Sequence, residues 1–147
     1  MKRSGYNTNL ASEFHVLSLL HRRGFDANLT LGNKKAVDIV VVRHAGDTVT
    51  IDVKAVAGKV DWLTGNVSDV PKLNHFVVLL TYDGKFEDIH TAPRAWVLPH
   101  EQLLRHVKSA KAPSIMKFVS RSEITKLREY EHAWHLIGGT SGQTPSD

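Results

Sequence analysis

The chain has 147 residues, 41% of them hydrophobic and 23% charged, with a formal net charge of +4 and no cysteine. That length and apolar content suit one domain around one core, and the lack of cysteine excludes disulfides and thiolate metal sites. No apolar run reaches membrane-spanning length and Met1-Lys2-Arg3 leads into polar Ser4 to Asn9, so no membrane partner is expected and cytoplasmic residence is the default; the small basic excess suits a polyanionic partner without specifying one.

Leu10, Phe14, Leu17 and Leu20 recur at helical spacing and predict a helix from Asn9 to Arg23, capped by Thr8 or Asn9 and ended by Gly24. Glu13 falls on that apolar arc between Leu17 and Leu20. A glutamate on a buried stripe requires a partner or a metal, whereas one at the stripe's edge would simply reach solvent.

Two β-branched strands follow, Ala36 to Val42 and Thr48 to Val56, joined by the glycine-containing turn Arg43 to Asp47. If Val42 faces Thr48, antiparallel pairing sets Asp38 opposite Asp52, and alternation puts Asp52 and Lys54 on one face. Opposed carboxylates destabilise a sheet unless a cation joins them. Oxygen-only ligation favours a hard ion, so magnesium or manganese fits better than zinc, with Lys54 placed to stabilise charge on a phosphate. The plain alternative is a salt bridge from Lys54 to both aspartates. Lys34 and Lys35 before the first strand and Lys59 after the second stand at the rim, where phosphate contacts are expected; each alone reads as a solvated lysine.

Ala57 to Asn66 reads as a loop or a short strand, with Trp62 as a candidate for substrate contact, and Val67 to Leu73 as a helical turn. His75 to Tyr82 is an unbroken apolar run that predicts a strand buried on both faces, and Arg94 to Leu98 supplies another. Pro99 to about Lys108 reads as a helix with charges matched to its dipole. Ser120 and Glu123 have capping-box spacing for a helix to about Ile137, stopped by Gly138-Gly139. Trp96 and Trp134 are expected in the core. Residues 1–139 form the single domain, and Thr140 to Asp147 a polar tail, disordered by composition. His132 and His135 lie three apart among the nine histidines, but no further ligand matches them, so zinc is not expected.

Glu13 on a helix, Asp38 on one strand and Asp52-Val53-Lys54 on the next give residues 9 to 56 an order that resembles the PD-(D/E)XK nuclease superfamily. Its small endonuclease-like and Holliday-junction-resolvase-like members are the nearest in layout. Val37 stands where the motif's name has proline, and Asp52 replaces the commoner glutamate. The resemblance implies an α/β, restriction-endonuclease-like domain with a central mixed sheet flanked by helices. It implies Mg2+ held by Asp38 and Asp52, with Mn2+ as a substitute, Glu13 and the Val53 carbonyl as further ligands, and Lys54 as the catalytic lysine. The expected activity is metal-dependent hydrolysis of DNA, in a protein for which a homodimer is allowed. The alternative is a catalytically inactive nucleic-acid-binding or assembly module on the same fold, against which the intact Asp38, Asp52 and Lys54 count.

Overall fold

A computed structural model describes residues 5–30, 37–111 and 115–139. Helix α1 spans Gly5–Arg22. It ends at Gly24, whose φ of +85° lets its N–H reach the His21 carbonyl and the Phe25 N–H reach that of Leu20, both at 3.0 Å. Five strands follow in the main sheet: β1 Asp26–Leu29, β2 Ile39–Val42, β3 Thr48–Val56, β5 His75–Thr81 and β6 Arg94–Pro99. Their order is β1-β2-β3-β5-β6, with β3 and β5 parallel and every other pair antiparallel. The predicted central mixed sheet flanked by helices is therefore present. A second sheet, ordered β4-β8-β7, joins β4 Trp62–Leu63, β7 Val107–Ser109 and β8 Lys117–Val119. Helices α2, His100–Leu104, and α3, Arg121–Ile124, are short. Among the described residues no helix is long and apolar enough to cross a membrane.

The main sheet separates two apolar clusters. Val16 and Leu20 of α1 pack with Val49, Ile51 and Val53 of β3 and with Phe76, Val78 and Leu80 of β5. Val77 and Leu79 face the other way, towards Trp62, Trp96, Leu98, Leu103, Val119 and Ile124. All of β5 is buried, as the unbroken apolar run predicted.

Four predicted elements differ. The buried residues of α1 are Thr8, Ser12, Glu13, Val16 and Leu20, while Phe14 is exposed. Small Thr8 and Ser12 face the sheet, and the Ser12 hydroxyl lies 3.0 Å from that of Tyr82, which sets the helix's rotation. Residues 67–73 form bends instead of a helical turn, and the helix expected from Pro99 stops at Leu104, so that Lys108 lies in β7. Glu123 draws in His106 and Lys108 as partners there, leaving the Ser120 hydroxyl to pair with Ser122 in place of a capping box.

The helix expected over Ser120 to Ile137 is broken into α3 and two 3-10 turns, Arg128–Tyr130 and Trp134–Gly138. Ile124 belongs to the cluster on one face of the sheet, and Ala133, Trp134 and Ile137 to the cluster on the other. The segment must therefore pass around the edge of β6, where the His132 N–H bonds the Ala95 carbonyl at 2.8 Å. A straight helix presents one stripe and cannot serve both faces.

Trp62 is a pillar of the second cluster, 1% exposed, with its indole N–H donating to the Leu80 carbonyl at 2.8 Å and its ring edge-on to Trp96. This corrects the expectation of substrate contact, since the ring has no free face on which a base could stack. Trp62→Phe is expected to lower unfolding free energy by about 1–3 kcal/mol through the lost hydrogen bond, and Trp62→Ala by about 3–5 kcal/mol. Urea titrations check both.

Candidate functional site

Antiparallel pairing of β2 with β3 runs from Val42 opposite Thr48 to Ile39 opposite Ile51, the expected register. It breaks at the next residue. The Asp38 N–H also donates to the Ile51 carbonyl, at 3.0 Å, so Asp38 stands out of step and Asp52 is not directly opposite it. On the other flank the Thr30 N–H holds the Asp38 carbonyl at 2.9 Å, and the Thr30 hydroxyl bonds the Val37 carbonyl. Such a bulge ends pairing and re-aims a side chain. Here it turns the Asp38 carboxylate onto the backbone of β3, where Oδ2 accepts the Val53 N–H at 2.7 Å.

One carboxylate is thereby lodged beside the peptide that joins Asp52 to Val53. In an extended strand the N–H and C=O of one residue address the same flank, so the Val53 carbonyl faces the gap that β2 leaves. Asp52 and Lys54 alternate with buried Ile51 and Val53, and both are half-buried on the face away from α1. Asp52 takes His75 as its hydrogen-bond partner and not Lys54, with Nε2 to Oδ2 at 3.1 Å. This replaces the salt bridge considered for Asp52 and Lys54.

Glu13 is 7% exposed on α1, on the other side of the sheet from Asp52. The three carboxylates are thus distributed through the thickness of the sheet: Glu13 on one face, Asp52 on the other, and Asp38 at the end of β2 between them. Among the described residues no three His, Asp or Glu side chains converge as a metal cage. Magnesium, however, is ordinarily held by one or two carboxylates, with water and phosphate completing its shell. Asp38, Asp52 and the Val53 carbonyl offer the hard oxygen donors it requires, so the residues present fit such an ion. Lys59 is exposed beyond β3. Lys34 and Lys35 lie outside the described residues, as do residues 140–147.

Two histidines that the sequence reading passed over belong to this region. His75 heads the buried strand β5, opposite Thr50 in the parallel register. His100 lies edge-on to it with ring centroids 5.1 Å apart, donates to the Ser68 carbonyl and accepts the Lys72 N–H. Burial pushes His100 below the ordinary histidine pKa, partly offset by the bond to Ser68. A polar residue at the head of an otherwise apolar buried strand was the available signal for His75. Both rings also line a cleft of about 690 Å³, shared with Arg43, His44 and Lys72 around the β2-β3 turn.

The arrangement is a mixed α/β sheet in which an aspartate at a strand end meets an Asp-x-Lys strand. Among solved structures the chain is similar to a bacterial homing endonuclease, I-Ssp6803I, with a TM-score of 0.54 and 15% identity over 92% of this chain and 94% of that one. At that identity the likeness shows the fold. No protein-family model and no curated protein matches the sequence.

The Asp38 to Val53 contact makes a stability prediction. Asp38→Ala leaves the Val53 N–H without its acceptor and is expected to cost about 1–3 kcal/mol. Asp38→Asn, which keeps an acceptor oxygen, should cost less. Unfolding in guanidinium of both variants and the parent, without metal, measures the difference; a fully stable alanine variant would contradict it.

Proposed function

We propose that the protein is a divalent-metal-dependent endonuclease that hydrolyses phosphodiester bonds in DNA. The observation that carries this reading is the bulge that holds the Asp38 carboxylate against the Asp52-Val53-Lys54 segment of β3. The fold likeness to a homing endonuclease supports it, as does the resemblance of the ordered residues Glu13, Asp38, Asp52 and Lys54 to the PD-(D/E)XK superfamily.

In this reading Asp38, Asp52 and the Val53 carbonyl hold Mg2+ or Mn2+, and Glu13, on the α1 side of the sheet, acts through water at the Asp38 end of the site and not on the ion directly. The ion, when bound, supplies Lewis-acid charge at the phosphate and activates water. Lys54, on the Asp52 face, stabilises the negative charge that develops on the phosphoryl oxygens. Lys59, with Lys34 and Lys35, contacts flanking phosphates and positions the strand without reading its sequence.

One observation favours a second reading, a non-catalytic nucleic-acid-binding module: both aspartates already have protein partners, Val53 N–H and His75. The two readings diverge on Lys54. A lysine that acts in the transition state affects turnover more than affinity. Lys54→Met should bind DNA nearly as well as the parent and cleave it slower by a factor on the order of a hundred, and Glu13→Gln should also cut poorly while remaining folded. The assay uses labelled duplex, single-stranded and branched DNA with magnesium, manganese or chelator. A parent that binds DNA but cuts none of these substrates with either metal establishes the binding module instead.

A further inference from the structure

Position 75 is an odd place for an imidazole. Its side chain is 1% exposed at the head of a strand whose following residues are almost all apolar, and a valine there would need no hydrogen bonds at all. The ring instead makes two: Nε2 lies 3.1 Å from Asp52 Oδ2, and Nδ1 lies 2.6 Å from Thr50 Oγ1. A carboxylate only accepts, so Nε2 donates to Asp52; in the tautomer protonated at Nε2 alone, Nδ1 accepts from the Thr50 hydroxyl. The result is a directional chain, Thr50 O–H to Nδ1 and Nε2–H to Asp52 Oδ2.

The edge of His100 walls this ring at 5.1 Å. Both nitrogens of His100 are engaged by the loop that leads into β5, through the Lys72 N–H at 3.0 Å and the Ser68 carbonyl at 2.8 Å. The ring of His75 is thus fixed by a hydroxyl, a carboxylate and a second ring, each from a different residue of the surrounding sheet and helix. Asp52 Oδ2 is committed to His75, which leaves Oδ1 as the oxygen for a cation.

We infer that His75 is a positioning residue: it locks the rotation of the Asp52 carboxylate and presents one defined oxygen to a divalent metal, with Thr50 fixing the tautomer that does so. The inference rests on the reading of Asp52 as a metal ligand. Hydrogen-bond partners of metal-binding groups orient them, and their removal typically weakens metal affinity by about 10–100-fold.

The test compares two amides that differ in reach. His75→Gln sets an N–H donor near the place of Nε2, whereas His75→Asn sets one near Nδ1, too far from Asp52. Calorimetric titration of the folded full chain with Mg2+ or Mn2+ alone should show affinity lowered by about 10–100-fold in His75→Asn and largely restored in His75→Gln. Cleavage should follow, with kcat reduced in His75→Asn and KM for DNA unchanged. A merely structural role would affect both amides alike. Equal affinities for the two variants, whether parent-like or equally weakened, overturn the proposal. If either fails to fold by circular dichroism, Thr50→Val takes its place: it removes the proton donor to Nδ1, metal affinity should fall, and parent affinity would overturn the positioning role. A parent that neither binds metal nor cuts DNA refutes the reading of Asp52 itself, whereas a parent that binds metal tightly alongside unaffected variants refutes only the role of His75.

Discussion

The parallel pairing of β3 with β5 is the constraint on which this molecule is built. Parallel strands cannot be joined by a tight turn, so the chain must leave the end of β3, cross the sheet and re-enter beside its start. That crossover carries β4, sends Trp62 under the sheet and brings the loop before β5 back to the level of Thr50. It also decides the fate of Asp52. With β5 alongside, the even-numbered residues of β3 look onto a wall begun by His75 and continued by Val77 and Leu79, and the carboxylate finds an imidazole instead of open solvent.

A second constraint acts from the opposite flank. β2 is shorter than its partner, and the place where it stops is set by three backbones at once: Thr30 at the end of β1, Asp38, and Ile51. Residues beyond that point on β3 would expose amide groups along an unpaired edge, which is costly in a half-buried sheet. The Asp38 carboxylate takes up the Val53 N–H there. The same contact that finishes the sheet also brings negative charge to the Asp-x-Lys strand, so the structural and the proposed chemical roles of Asp38 are two uses of one geometry.

The parts of this arrangement that were legible in the sequence are those fixed by local pattern. The β-branched alternation of Thr48–Val56 and the glycine-bearing turn before it specify strand, bounds and hairpin register, and the apolar run after His75 specifies a doubly buried strand. Burial of Glu13 was also legible, although Thr8, Ser12 and Val16 carry the buried stripe and not Leu10 and Phe14. What escaped depends on residues far apart in the chain. The bulge at Asp38 involves three strands, the pairing of His75 with Asp52 depends on a crossover whose landing point no short window contains, and the last segment breaks because its apolar residues serve both faces of the sheet. The acidic residues were readable as an unusual set; their separation through the thickness of the sheet was not.

Strand β3 assigns stability and the proposed chemistry to alternate residues, with Val49, Ile51 and Val53 in the core and Thr50, Asp52 and Lys54 on the half-buried face. The two sets touch different neighbours, so descendants of this sequence can vary one set by substitution while leaving the other intact. Insertions and deletions face a different rule. Length changes in the exposed turn at His44 to Gly46 leave this assignment alone, but one residue gained or lost between Val49 and Asp52 would exchange the faces of the residues that follow, placing carboxylate and ammonium against α1 and apolar side chains where the charges had been. The strand therefore works as a reading frame of period two, permissive to changes of letter and closed to changes of phase.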